Sequence, residues 1–571
     1  MKRNPSIWSE HHGKDNFREE YPDFSMFSLL EETAQKHPDY TALEFQNKKI
    51  SFSGMIAQIE LIAQSLLASG IQKGDYVSVV APNTPQALMM IYAINRMGAI
   101  VNVVHPLLSS AEIKQLIEKV DSVAVLTFDI VYPKFADITW ETSRNPLMII
   151  ARIVDALPSI IKPIYGLTNK VKPAFNPAHN ILYWNEFLKK GKARKEPLAP
   201  DTGVGDDVAV ILYSGGTTGI PKGVMIQNKS FNAMAIQSSE IKPLDTAETA
   251  GKKVLALMPV FHGFGLAMCM HVMLSFGCHI CLVPKFDYKA CAKLIFKKKI
   301  NYIYAVPALF EALSRTEEIE TQDLSFIEMI AFSGDKCDKK LLNRMNKYLE
   351  KGGSNARLME AYGLTESLSG VCINPFFAMK EDSTGLPFPD NEIKIVKLGT
   401  EEVLPPWEDG ELCVTGPTLM KGYYENEEET AAALRKHADG KTWLHTGDIA
   451  CVDEDGYLYY RQRHFRMIII AGYNVYPTQI EEVINKCPAV NNSCVVGINA
   501  KGGKKIVAVI QPTSMEHDLE ALRQQILSMC EQNVATYAMP REIIFREELP
   551  RTAMGKVNFR KLVDELESRK G

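Results

Sequence analysis

The sequence predicts an α/β fold: a large N-terminal domain of mixed parallel sheets sandwiched by helices, a small β subdomain, and a small α+β C-terminal domain. Three observations predict it. Short apolar strands alternate with amphipathic helices from about residue 75, the rhythm of a mostly parallel sheet covered on both faces. From about Glu392 the texture changes to short strands and turns. After Arg463 a helix, two strands and a helix make a compact α+β run of roughly 110 residues. The domain boundary is placed near Gln462, giving residues 1–461 and 462–571, with the β subdomain from about 392.

Residues 24–70 predict helix, hairpin, helix. Phe27 to Gln35 is helical, Tyr40 to Phe45 and Lys49 to Phe52 flank a turn at Gln46-Asn-Lys, and Phe52 to Ala68 is an amphipathic helix ending near Gly70. Strands follow at 75–80, 99–104 and 123–127, with helices at 85–96 and from Ser109 to about Val120. Residues 134–180 break the rhythm. Leu147 to Val154 and Ile160 to Tyr165 are apolar, with charges and prolines between, and are expected to form a packed surface insertion or an element lying on a membrane surface. The rhythm resumes with strands at 208–212, 253–258, 280–284, 302–306 and 329–332 and a helix from Lys289 to Lys299. Leu412 to Thr415 and Gly456 to Tyr460 are short strands; helices at 478–486 and 519–533 bracket strands at 493–497 and 506–510.

The chain has 571 residues, enough for more than one core. Hydrophobic content of 46% and charged content of 23% are ordinary globular values. Net charge is −4, from 64 Lys and Arg against 68 Asp and Glu, so no nucleic-acid partner is implied. The first residues lack the apolar core of a signal peptide, and no apolar run approaches the ~18 residues of a membrane span. Eleven cysteines are scattered. Cys278 and Cys281 have a metal-like spacing, but three residues apart on a strand they point to opposite faces, so packing is expected and a shared metal is not. A reducing cytoplasm fits this usage.

The stretch with the most chemistry is Tyr213-Ser-Gly-Gly-Thr-Thr-Gly-Ile-Pro-Lys-Gly223. Four glycines and three small hydroxyl residues crowd into eleven positions after a buried strand. Such a loop brings bare N–H groups and short hydroxyls close to phosphate oxygens, and Lys222 adds a mobile positive charge. It is not a Walker A loop, because Lys222 follows Pro and precedes Gly. Further stretches stand after it in order: Met258-Pro-Val-Phe-His262-Gly-Phe-Gly265, Ser333-Gly-Asp335, Glu360-Ala-Tyr362-Gly-Leu-Thr365-Glu366-Ser367, His445-Thr-Gly-Asp448, Arg461-Gln-Arg463, Ala471-Gly472-Tyr-Asn-Val-Tyr-Pro477 and Leu549-Pro-Arg-Thr-Ala-Met-Gly555-Lys556.

This order and spacing resemble the adenylate-forming superfamily, which includes acyl-CoA synthetases, adenylation domains of peptide synthetases and firefly luciferase. The resemblance covers about residues 24 to 561. It implies a ligase that joins a carboxylic acid to ATP, giving acyl-AMP and pyrophosphate, and then passes the acyl group to coenzyme A, with Mg2+ as the metal. A carboxylic acid is already ionised at pH 7, so positioning and charge neutralisation are needed and a general base is not. By resemblance, Ser214, Gly215, Gly216, Thr217, Thr218, Gly219 and Lys222 hold the β- and γ-phosphates. Thr365 contacts the α-phosphate and Glu366 helps hold Mg2+. Tyr362 stacks on adenine, whose edge is lined by Ser333, Gly334 and Asp335. Asp448 bonds both ribose hydroxyls, and Arg463 contacts ribose or phosphate near the hinge. Lys556 bridges the substrate carboxylate and the α-phosphate, Gly472 lies on the pantetheine channel, and His262 stands beside the acyl pocket. The C-terminal domain would bring Lys556 in by rigid-body rotation about Gln462.

The chain departs from the family at three places. Gln462 stands where Asp or Lys is common, Ile469 where many members carry a lysine, and Asp335 where Gly or Ala is usual. The first two bear on the thioester step and leave adenylation intact. The Ser-Gly-Gly form of the loop and the apolar 134–180 segment lean toward a medium- or long-chain fatty acid. A carrier protein as acceptor, and a catalytically silent paralogue that binds acyl groups or nucleotide, stay open as alternatives.

Overall fold

The computed structural model describes residues 20–568 except 159–175, 215–220, 242–245, 284–286, 335–336, 376–377, 464–465, 471–472, 501–502, 535–537 and 552–556. The chain divides into two compact units, residues 1–392 with 414–444 and residues 393–413 with 445–571. Grouped by compactness, residues 393–413 go with the C-terminal segment.

Among the described residues the first unit holds two large sheets. The eight-stranded one runs Gly422–Tyr423, Lys222–Gln227, Val208–Ser214, Ile100–Val103, Tyr76–Val80, Ala124–Phe128, Leu147–Ala151, Asn180–Tyr183. From Val208–Ser214 onward its neighbours are parallel, while Lys222–Gln227 returns antiparallel. The nine-stranded one runs Leu386–Pro387, Cys372–Ile373, Leu358–Tyr362, Met329–Phe332, Tyr302–Ala305, Lys253–Ala256, His279–Leu282, Thr41–Phe45, Lys48–Ser51. Its middle is parallel, with antiparallel pairs at both edges.

Local chemistry accounts for the elements. The hairpin turn places Gln46 at φ 50° and Asn47 at φ 66°, the two left-handed residues that match the twist of antiparallel strands. The helix Ser110–Lys119 starts from a capping box, in which the Ser109 N–H donates to Glu112 Oε2 at 2.8 Å and Ser109 Oγ accepts from the Glu112 N–H at 3.3 Å. The helix Pro85–Arg96 opens on proline after the Thr84 cap. It is buried along nearly its whole length, which explains why its apolar residues are not confined to one stripe.

One expectation is corrected. Leu147–Ala151 is neither a surface insertion nor a membrane-facing element. It is a fully buried parallel strand paired with Ala124–Phe128, and Asn180–Tyr183 extends the sheet beyond it. A strand buried on both faces reads as a continuous apolar run, which is why its sequence lacks alternation. Ile160 to Tyr165 lie outside the described residues. Among the described residues no helix is long and apolar enough to cross a membrane.

In the second unit, Val490–Ala500, Gly503–Pro512 and Glu542–Phe545 form a sheet packed on both faces. Val495, Ile506, Ala508 and Ile510 face one core with the helices Pro477–Asn485 and Leu519–Asn533. Cys494, Val496, Ile498, Val507 and Val509 face the other with Leu562 and Leu566 of Phe559–Ser568. The period-two alternation explains how one sheet serves both. The predicted α/β architecture with a small α+β C-terminal part is therefore the observed one.

The π-helix Phe264–Val272 carries His271, which is buried with its Nδ1 3.0 Å from the Tyr92 hydroxyl. Burial pushes the His271 pKa down to about 3. An unfolded histidine titrates near 6.5, so between about pH 6.5 and 3 the unfolded chain binds a proton that the native state refuses. Stability from this residue is thus present above pH 6.5 and is lost as the pH falls through that window. Thermal unfolding at pH 8 and pH 5 should show a loss to which His271 contributes about 2 kcal/mol. In His271→Gln the loss should shrink.

Candidate active site

The motif residues gather at strand ends. In the nine-stranded sheet, Met329–Phe332 and Leu358–Tyr362 are parallel neighbours, with Phe332 opposite Glu360. Ser333 and Gly334 therefore leave one strand beside Tyr362 on the next, at the carboxyl ends where α/β sheets bind ligands. Gly334 has φ 86°, a conformation that favours glycine. Ser333 and Tyr362 are buried, and Tyr362 O accepts from the Val371 N–H at 3.0 Å.

Thr365 and Glu366 open a short 3-10 helix, Thr365–Ser367. The turn after it is tight. Leu368 has φ 51° and Ser369 φ 69°, and the Ser369 N–H donates to Leu364 O at 2.8 Å. Two consecutive non-glycine residues in the left-handed region are strained, and neighbours must hold them. Two glycines make room. A Cβ on Gly363 would stand 2.1 Å from Ser369 O, and one on Gly263, beside His262, would stand 2.5 Å from Ser369 Oγ. The His262 loop and the Glu366 turn are thus shaped against the same serine. His262 Nδ1 accepts from the Phe264 N–H at 3.2 Å.

The two sheets meet at Glu366. Ser214, the last residue of Val208–Ser214, donates from Oγ to Glu366 Oε1 at 2.9 Å. The hydroxyl of Tyr423 donates to the same oxygen at 3.0 Å. Tyr423 is buried and sits on the two-residue strand Gly422–Tyr423, paired antiparallel with Lys222–Gln227 so that Tyr423 faces Val224. The flanking backbone fastens the same group: the Met420 N–H donates to Glu366 O at 2.8 Å and the Tyr424 N–H to Gly223 O at 2.7 Å. Lys222 lies over the Tyr423 ring, 5.0 Å from its centroid, and forms an ion pair with Glu429. Ser214, Glu366 and Lys222 are therefore brought to one place, with Tyr423 between them. Sequence reasoning did not single out Tyr423 or Glu429.

In the second unit, Asp448 and Arg463 stand opposite each other on Thr442–Val452 and Leu458–Arg463. Arg463 Nε is 3.0 Å from Asp448 Oδ1, and the Asp448 side chain is 1% exposed. Gly447, at φ 67°, makes the bend before it, and the Asp448 N–H donates to Thr446 Oγ1 at 3.1 Å. Gln462 is fully buried, and among the described residues neither polar atom of its amide has a partner.

Gly215, Gly216, Thr217, Thr218, Gly219, Asp335, Gly472 and Lys556 lie outside the described residues, as does the side chain of Ile469. Elsewhere, Glu44, His279 and Cys281 bring three buried metal-type donors within 4.8 Å of one another. Lys298 already pairs with Glu44, and burial holds His279 down to about 4 and Cys281 up to about 12. The carboxylate is thus neutralised by an ammonium and the thiol is protonated, which is the chemistry of an internal ion pair. Cys278 donates instead to Thr249 O, so the two cysteines face different partners as expected.

Gly363→Ala tests the shaping of the Glu366 turn. Backbone cannot yield as a flexible side chain can, so the variant should lose about 1–3 kcal/mol in denaturant unfolding and lose nucleotide binding with it.

Residues 30–424 match the AMP-binding enzyme family, and residues 479–556 match the AMP-binding enzyme C-terminal domain. A curated relative, the long-chain-fatty-acid–CoA ligase of Bacillus subtilis (strain 168), is 31% identical over 548 residues, 95% of each chain. ATP-bound MatB from Rhodopseudomonas palustris has the same fold, with a TM-score of 0.78 at 22% identity over 96% of this chain and 99% of that one. The anthranilate CoA ligase AuaEII, solved with anthranoyl-AMP, matches with a TM-score of 0.77 at 20% identity over 96% and 98%. The chain belongs to the AMP-binding enzyme family, and with that family it is a ligase.

Proposed function

We propose that the protein is an acid–CoA ligase that forms acyl-AMP and pyrophosphate from a carboxylic acid and ATP, then acyl-CoA and AMP, with a medium- or long-chain fatty acid as the acid. The observation that carries this reading is the group at Glu366, where a carboxylate, two hydroxyls and the Lys222 ammonium converge at strand ends. The fatty-acid choice is supported by the name of the B. subtilis relative, which matches this chain end to end.

The roles follow from the chemistry of each group. Lys222 and the loop from Ser214 neutralise the β- and γ-phosphates, so that an acid anion can approach the α-phosphorus. Both hydroxyl bonds fall on Oε1 of Glu366, which suits Oε2 to a hard cation. Mg2+ held there would offset the triphosphate charge. Thr365 contacts the α-phosphate from the same turn. Tyr362, Ser333, Gly334 and Asp335 take the adenine. Asp448 accepts from the ribose hydroxyls, with Arg463 aligned by its ion pair. His262 borders the acid. Lys556 supplies charge to the carboxylate and α-phosphate in the transition state, and Gly472 passes pantetheine. Motion about Gln462 exchanges these two roles.

Exchange of pyrophosphate into ATP with a panel of acids tests the first half-reaction. Exchange should be fastest with medium- or long-chain fatty acids; activity confined to aromatic acids would refute that choice, and no exchange with any acid would refute the ligase reading. Lys556→Ala should lower exchange by about a hundredfold or more. Ile469, in place of a lysine, favours one second reading, transfer to a carrier-protein phosphopantetheine. Exchange without CoA-dependent AMP release would support it.

A further inference from the structure

Lys222 is not waiting with an open charge. Its ammonium forms an ion pair with Glu429 and rests on the face of Tyr423, whose own hydroxyl is committed to Glu366. The Lys222 and Glu429 side chains are 21% and 33% exposed, so the pair is partly screened and can be broken. Glu429 is held in place by its helix. Asn426 caps Glu427–Ala433 by accepting from the Glu429 N–H at 3.1 Å. Thr430 Oγ1 accepts from the Tyr423 N–H at 2.9 Å, so the helix is tied to the strand that carries Tyr423. A Cβ on Gly422 would stand 2.8 Å from Thr430 Cγ2, which shows how closely helix and strand approach.

We infer that Glu429 is a counter-ion that Lys222 exchanges for phosphate. This rests on the ligase reading above. The carboxylate holds the lysine beside Tyr423. An arriving triphosphate must take the ammonium from Glu429, because one compact charge cannot neutralise both anions fully. When pyrophosphate leaves, Glu429 takes Lys222 back, and the loss of that charge from the product speeds release. Glu429 is thus a positioning residue that weakens nucleotide and pyrophosphate binding in order to turn them over. Tyr423 keeps Lys222 and Glu366 in register during the exchange, since its ring serves one and its hydroxyl the other.

The test uses the full chain and two probes, ATP with Mg2+ and inorganic pyrophosphate, titrated calorimetrically. Glu429→Gln keeps size and hydrogen bonding and removes the charge. It should bind both probes about two- to fivefold more tightly, and pyrophosphate should inhibit its exchange reaction more strongly. A gain in affinity is not what a damaged fold produces. Glu428→Gln, an exposed neighbour on the same helix, should change neither. In a Lys222→Ala background the effect of Glu429→Gln should vanish. Unchanged or weaker binding by Glu429→Gln, or a gain that survives without Lys222, overturns the counter-ion role alone. A wild-type protein that binds neither probe overturns the ligase reading, and this inference with it.

Discussion

The structure of the first unit depends on satisfying one carboxylate. A partly buried anion must be given donors, and charge-assisted hydrogen bonds are the strong ones. Glu366 takes two on the same oxygen, from Ser214 at the end of one sheet and from Tyr423 on a strand contributed much later in the chain. Both donors must reach one point. That requirement couples the register of Tyr423 opposite Val224, the exit of Val208–Ser214, and the strained turn at Leu368 and Ser369. Gly363 and Gly263 are the spaces this turn needs.

The charged groups share a pattern within each unit. Glu366 is bonded by hydroxyls, Lys222 is paired with Glu429, and Asp448 is paired with Arg463. Each of these three groups has an internal partner. Substrate binding is then an exchange of partners, and its net free energy is smaller than the direct contacts would suggest. A ligase that must release pyrophosphate and a nucleotide in each cycle gains from such weak net binding.

Much of this was legible in the sequence because it is local. The hairpin and the sheet rhythm are each written in a few adjacent residues. So are the Thr365-Glu366 and Gly447-Asp448 turns. What was not legible depends on pairing across the chain. Tyr423 belongs to a two-residue strand 57 residues from Glu366, and no periodicity marks it. Glu429 is one of three consecutive acids on a short helix, and only the packing of that helix on Gly422 brings it to Lys222. Leu147–Ala151 misled for the opposite reason. Its apolar run is plain, but burial in a parallel sheet and contact with a lipid surface select the same residues. The α+β character of the C-terminal segment was clear from its texture, whereas the grouping of residues 393–413 with it follows from contacts that no local pattern encodes.

The central claim is that Ser214 and Tyr423 act together on one carboxylate and so prepare it for nucleotide. A double-mutant cycle measures this directly: Mg2+-ATP affinity for the wild type, Ser214→Ala, Tyr423→Phe and the double variant. Two hydroxyls serving one oxygen should be non-additive, with a coupling of about 0.5 kcal/mol or more. Losses that simply add would contradict the account.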